Sequence, residues 1–243
     1  MGLVQAVPDV PVSARRLRSD AGFTLPELLT TMWIAMVILL AGFALLEFVM
    51  KRATETEQRV EATQRGRIAM DLVTRELRSQ VCLDANTAPI VDGTATQITF
   101  YTDLNNSTAS SLPERHVLTY NAGTSEITED VYKTNGVKPL AWTGPTTRKV
   151  LTGVTQDGST PVFRYFPYDP TRSTTLTPLT TPLNSAGNIP KVARITISYR
   201  TVPLRNARAA VAVPLADDVY LRVVNPNPPE PVPANYTPTP SCS

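Results

Sequence analysis

The longest apolar stretch of the chain runs from residue 28 to residue 46 and contains no charged side chain. As an α-helix it would extend about 28 Å, close to the ~30 Å hydrocarbon core of a bilayer. Lys51 and Arg52 follow it and can reach toward lipid headgroups. The pattern predicts a membrane-spanning helix. A buried core helix, a conventional signal peptide and an uncleaved signal anchor are the alternatives.

The helical pattern continues after this stretch, with polar residues on one side and apolar residues on the other. The apolar positions fall largely at spacings of three and four: Val60, Ile68, Ala69, Leu72, Val73, Leu77 and Val81. This spacing predicts an amphipathic helix over residues 54–82 that packs on a sheet. If this helix continues the membrane helix, residues 24–82 would form one rod, with Gly42 and Gly66 as candidate weak points because glycine disfavours a helix interior.

Beyond Cys82 the pattern changes to the alternation that is typical of β-strands. In the clearest strand, 191–200, apolar Ile195 and Ile197 alternate with polar residues. Loops are predicted at 103–113 and 171–188, which are rich in Ser, Thr, Asn, Pro and Gly. The predicted strands are 97–102, 116–120, 127–132, 148–154, 161–167, 191–200 and 211–224. Together these patterns predict an α+β fold, in which a long N-terminal helix, half membrane-spanning and half amphipathic, packs on an antiparallel sheet.

Charge and composition exclude several classes of function. The formal net charge of +2 is nearly balanced, which argues against general nucleic-acid binding. His116 is the only histidine and no Gly-x-Ser-x-Gly motif accompanies it, so a catalytic role is not expected. Two cysteines and one histidine do not make the usual zinc site, and Asp217 and Asp218 are expected to be solvated. We therefore expect no cofactor and no metal.

A short motif stands at the start of the apolar stretch. Gly22 and Phe23 precede Thr24-Leu25-Pro26-Glu27, and a short basic leader comes before them. One interpretation is a helix capping box, in which Thr24 and Glu27 bond to each other's backbone. Capping explains an acid near a helix start, but it explains neither Gly22-Phe23 nor the membrane-length helix.

Taken together, these residues resemble the cleavage signal of the type IV pilin family, which includes the pseudopilins of type II secretion systems. The resemblance implies that a prepilin peptidase cuts between Gly22 and Phe23 and N-methylates Phe23. It also implies that Glu27 meets the N-terminus of a neighbouring subunit during assembly. The physics agrees, since a carboxylate in an apolar environment is costly unless it is paired. Pro26 departs from the isoleucine or valine of many members.

Further residues resemble the J-type minor pseudopilins and related minor pilins: Leu77-Arg78-Ser79-Gln80, Phe163-Arg164-Tyr165 and Leu221-Arg222-Val223-Val224-Asn225. This resemblance implies a structural subunit and not an enzyme. Such a subunit would help to initiate or cap a filament. The implied partners are the prepilin peptidase, other pilin or pseudopilin subunits and membrane lipid.

These predictions together give the expected organisation of the chain. Residues 1–22 are the leader, 23–50 the transmembrane and assembly helix, 51–225 an extracytoplasmic head, and 226–243 a proline-rich tail. The chain would cross the cytoplasmic membrane once, with its N-terminus inside, and then join a filament. The alternative is a membrane-anchored extracytoplasmic binding module or enzyme that does not polymerise.

The two cysteines, Cys82 and Cys242, would meet an oxidising compartment once the head is exported. A disulfide between them would tie the proline-rich tail to the end of the amphipathic helix. Two separate thiols are the alternative.

Overall fold

The computed structural model describes residues 22–83, 87–103, 112–168, 176–183, 188–204 and 212–221. The chain divides into two compact units, Met1–Lys51 and Arg52–Ser243. One helix, α1, spans Leu25–Arg78 and contributes residues to both units. The predicted leader and tail lie outside the described residues, apart from Gly22.

The part of α1 in the first unit carries the apolar stretch. Its large side chains are exposed along its whole length, from Leu25 to Met50. By length and composition, α1 is the one helix in the described ranges that is apolar enough to cross a membrane, and none of its most apolar window is buried. The Lys51 ammonium pairs with the Glu47 carboxylate at 2.7 Å at the end of this stretch.

The part of α1 in the second unit buries one face: Ala62, Gly66, Ala69, Met70, Val73, Thr74, Glu76 and Leu77. The predicted face was wrong at Val60 and Ile68, which are 50% and 71% exposed. The buried residues centre on the side of the helix that carries Gly66, and Ile68 lies two residues, or about 200°, further round, on the opposite side. The helix also ends at Arg78, four residues before its predicted end.

In the described ranges after the helix there are nine strands, and all the pairings between them are antiparallel. Five form one sheet in chain order: β1 (Ile90–Gly93), β2 (Gln97–Thr102), β3 (Glu114–Asn121), β4 (Glu126–Tyr132) and β5 (Thr146–Thr152). In the second sheet, β8 (Val192–Thr201) pairs with β6 (Val154–Thr155), β7 (Phe163–Pro167) and β9 (Val213–Tyr220). A short 3-10 helix, Ile189–Lys191, precedes β8.

The single sheet expected from the sequence is therefore two sheets. The predicted strand 148–154 is interrupted at Gly153, which has a φ of +70° and separates β5 from β6. An added Cβ at Gly153 would lie 2.8 Å from the Val202 carbonyl oxygen, so the close backbone contact also requires glycine. The chain thus leaves the first sheet and enters the second at this residue. Strand β1 was not predicted, because only Ile90 is an apolar residue that it buries.

The buried residues of α1 and both sheets form one hydrophobic core, which includes Leu77, Phe100, Leu118, Tyr165, Ile195 and Tyr199. The Tyr199 hydroxyl donates a hydrogen bond to the Gly66 carbonyl at 2.9 Å, so helix and second sheet approach closely there. The predicted α+β fold, with a long N-terminal helix packed on antiparallel strands, is confirmed.

Candidate functional site

The residues of the expected cleavage site lie just before α1. Phe23 is 76% exposed, and a Cβ added at Gly22 would meet no atom within 4 Å. The fold around Gly22 therefore does not require glycine, in contrast to Gly66 and Gly153, where a Cβ would clash.

Glu27 lies in the first turn of α1. The Thr24 carbonyl accepts hydrogen bonds from the backbone N–H groups of Glu27 at 3.0 Å and Leu28 at 3.1 Å. Within the described ranges no side-chain hydrogen bond joins Thr24 to Glu27, so the capping box is not formed. The Glu27 carboxylate is exposed and has no partner there. It remains available to a group outside this chain.

The two cysteines are only partly described. Cys82 follows the end of α1 and is not a free thiol. Cys242 lies outside the described residues, so its pairing with Cys82 stays a prediction.

The second unit holds a group of four ionisable side chains, three buried and one partly exposed, that the sequence patterns did not predict. Glu76 comes from the last turns of α1, His116 from β3, Glu129 from β4 and Arg148 from β5. Glu129 and Arg148 are direct cross-strand partners. We call these four residues the buried polar cluster. It lies where the end of α1 packs on the first sheet.

The cluster is connected by short polar contacts. His116 Nδ1 lies 2.5 Å from Glu129 Oε1, and His116 Nε2 lies 3.4 Å from Glu114 Oε2. The Arg148 guanidinium donates to both carboxylates, from Nε to Glu129 Oε2 and from Nη2 to Glu76 Oε1. The second oxygen of Glu76, Oε2, is buried without a hydrogen-bond partner. One acceptor of the cluster is therefore left unsatisfied, which is unusual for a buried carboxylate.

The two carboxylates have opposite pKa shifts. Burial raises the pKa of Glu76 to about 7, with a further rise from the nearby Glu129 carboxylate. Burial opposes ionisation of Glu129 as well, but hydrogen bonds from His116, Glu76 and Arg148 outweigh it and lower its pKa to about 2. Around neutral pH the cluster therefore contains an ionised Glu129 beside a Glu76 that is about half protonated.

A cleft of about 540 Å³ leads from the surface to the cluster. Glu76, His116 and Arg148 line its inner part, and Glu114 is beside them. Exposed cations, Arg75 and Lys133, line its outer part. Arg148 is 47% exposed, whereas Glu76 and Glu129 are almost completely buried. Solvent and small ions can thus approach the cluster from one side.

The sequence does contain a signal for this cluster. Alternation places Glu129 on the same face of β4 as Ile127, and His116 on the same face of β3 as Leu118. Glu76 lies next to the buried Leu77 on α1. An ionisable residue at an apolar position of each element marks a buried polar group. The sequence does not show that these three residues lie close together in the fold.

Asp218, expected to be solvated, has a side chain that is 40% exposed and also takes part in an ion pair. Its carboxylate accepts hydrogen bonds from Arg194 at 3.2 Å and from the Thr196 hydroxyl at 2.5 Å. These bonds join β8 to β9 and leave Asp218 little capacity for a metal.

Comparison with known proteins finds similarity among solved structures. No protein-family model matches the chain, and no curated protein matches it. Among solved structures, the chain is similar to a chain of the GspK-GspI-GspJ complex of the type 2 secretion system from enterotoxigenic Escherichia coli. The TM-score is 0.40 and the identity 10%, over 68% of this chain and 97% of that chain. Likeness at this level does not carry function from one chain to the other.

Proposed function

We propose that this chain is a minor pilin or pseudopilin, a structural subunit of a type IV pilus-like or type II secretion filament. A prepilin peptidase would remove residues 1–22 and methylate the amino group of Phe23. The chain would wait in the cytoplasmic membrane with its head outside. It would then join the filament through its N-terminal helix and help to initiate or cap it through head contacts with sibling subunits.

One observation carries the proposal: a membrane-length apolar helix that is exposed along its length, with an unpartnered carboxylate in its first turn. In the membrane, lipid would cover the apolar side chains; in a filament, helices of other subunits would. Glu27 would then lie in an apolar environment, where an ionised carboxylate needs a cationic partner. The methylated amino group of a neighbouring Phe23 has the required charge.

Gly22 adds support from a different direction. Nothing in the described fold restricts its side chain, yet the residue there is the one that the resembled cleavage signal requires. A requirement imposed by a peptidase explains a glycine that packing does not.

Assembly of Glu27 variants in the native host tests the proposal. We expect Glu27→Ala to be cleaved and stably folded but absent from sheared filaments, because the neighbouring amino group loses its partner. Glu47→Gln is the matched control: Glu47 lies on the same helix and already pairs with Lys51, so its variant should assemble normally. Filaments that contain Glu27→Ala at the wild-type level would contradict the assembly role of Glu27, whereas a wild-type chain that is absent from filaments would favour an anchored module that does not polymerise.

A further inference from the structure

The buried polar cluster has the donor set of a metal site. Glu76, His116 and Glu129 each offer one ligand atom, and these atoms all lie within 4.8 Å of one another. One imidazole nitrogen with carboxylate oxygens suits divalent transition ions such as Zn²⁺. Three protein ligands leave a coordination position open toward the cleft.

One oxygen of the Glu76 carboxylate is a second observation that points to a ligand. Glu76 Oε2 is buried and has no donor, although Oε1 accepts from Arg148. A buried carboxylate oxygen without a hydrogen-bond partner is unfavourable. A cation between Glu76 and Glu129 would satisfy it.

Charge gives an independent reason for a divalent cation. Three carboxylates, from Glu76, Glu129 and Glu114, face one guanidinium, that of Arg148. Metal binding requires ionised carboxylates and a neutral imidazole, and in that state the three carboxylates would exceed the one guanidinium by two charges. Arg75 and Lys133 lie at the exposed part of the cleft, where water screens them. An ion of charge +2 balances the cluster.

The surroundings of the cluster can also orient the His116 imidazole and let an ion enter. His116 Nε2 lies 3.4 Å from Glu114 Oε2, so an imidazole that binds a metal through Nδ1 can donate its other N–H to Glu114. Carboxylates in this supporting position are common around metal-binding histidines. Arg148 occupies the space between the two carboxylates, but it is 47% exposed and can move out into the cleft.

We infer that the buried polar cluster is a binding site for a divalent transition-metal ion such as Zn²⁺, with Glu76, His116 and Glu129 as ligands. Arg148 is its built-in competitor: it holds the carboxylates together in the absence of metal and leaves when the ion enters. The site fixes the end of α1 to the first sheet, so metal binding stabilises the head.

Titration of the full chain with Zn²⁺ in detergent, after chelator treatment and without a histidine tag, tests this inference. We expect one bound equivalent and a raised melting temperature. Arg148→Ala should bind Zn²⁺ about tenfold more tightly, because the competing cation is gone. Glu129→Gln should lose about 100-fold in affinity or more. Glu126→Gln is the control on the same strand, since Glu126 pairs with Lys149 outside the cluster.

The inference can be tested even if the Glu129→Gln variant does not fold. If Glu129→Gln fails to fold, Co²⁺ bound to the wild-type chain should still show the visible absorption of a low-coordinate site with nitrogen and oxygen ligands. Arg148→Ala, which leaves buried carboxylates unpaired without metal, should regain stability when Zn²⁺ is added. No binding by either the wild type or Arg148→Ala, or an affinity that is equal in all variants, would overturn the inference and leave Arg148 as the only cation of the cluster.

Discussion

Gly66→Ala probes the packing of α1 on the second sheet. An added Cβ would lie 2.3 Å from Leu215 Cδ1 and 2.5 Å from Thr201 Cγ2, where carbon atoms normally approach to about 3.5–4.0 Å. Leu215 is half-buried and can turn aside, but Thr201 is fully buried and β-branched. Overpacking destabilises the folded chain by about 1–3 kcal/mol, and the better helix propensity of alanine offsets about 1 kcal/mol of this. We expect the free energy of unfolding to fall by about 1 kcal/mol in Gly66→Ala.

Urea unfolding of the full chain in detergent measures this loss. A Trp33→Phe background leaves Trp142, which stacks on Tyr101 in the head, as the only tryptophan reporter. Leu215→Ala removes one of the two clashing side chains, so the double variant should be more stable than the sum of the single effects by about 0.5 kcal/mol or more. Gly66→Ala that stabilises the head, with no coupling to Leu215→Ala, would refute the close contact and leave helix propensity as the only effect.

Two further predictions concern pH and the cysteines. In chelator, the free energy of unfolding should fall as pH rises from about 4.5 to about 7, because Glu76 keeps its proton longer in the folded chain; Glu76→Gln should remove this fall. It should also fall as pH drops from about 4.5 to about 2, because the depressed pKa of Glu129 favours the folded state only while its carboxylate is ionised. Non-reducing gels of the exported chain should show a faster band that dithiothreitol removes and that Cys82→Ser lacks; unchanged mobility and two titratable thiols would exclude the Cys82–Cys242 bond.

Sequence patterns predicted the parts of the fold that are set by residues close together in the chain. The membrane-length apolar stretch predicted the first part of α1 and alternation predicted strand β2, and the structure has both where they were expected. The division into two sheets depends on Gly153, whose positive φ and contact with Val202 are set by tertiary packing. A lone glycine inside an apolar stretch does not distinguish a strand break from a weak strand position.

The cleavage motif and the buried polar cluster differ in how far the sequence could predict them. Gly22, Phe23 and Glu27 stand within six residues of one another, so a sequence motif can reveal them. Glu76 and His116 are far apart in the chain, and only packing of α1 on the first sheet brings them together. Each is individually visible as a polar residue at an apolar position, but their joint geometry is not.

The proposed function depends most on how the chain begins after export. Mass spectrometry of the N-terminal peptide, from protein purified from the native host, identifies that residue and its mass. The pilin account predicts a mature chain that starts at an N-methylated Phe23. An N-terminus at Met1, or cleavage beyond Ala44, would contradict it.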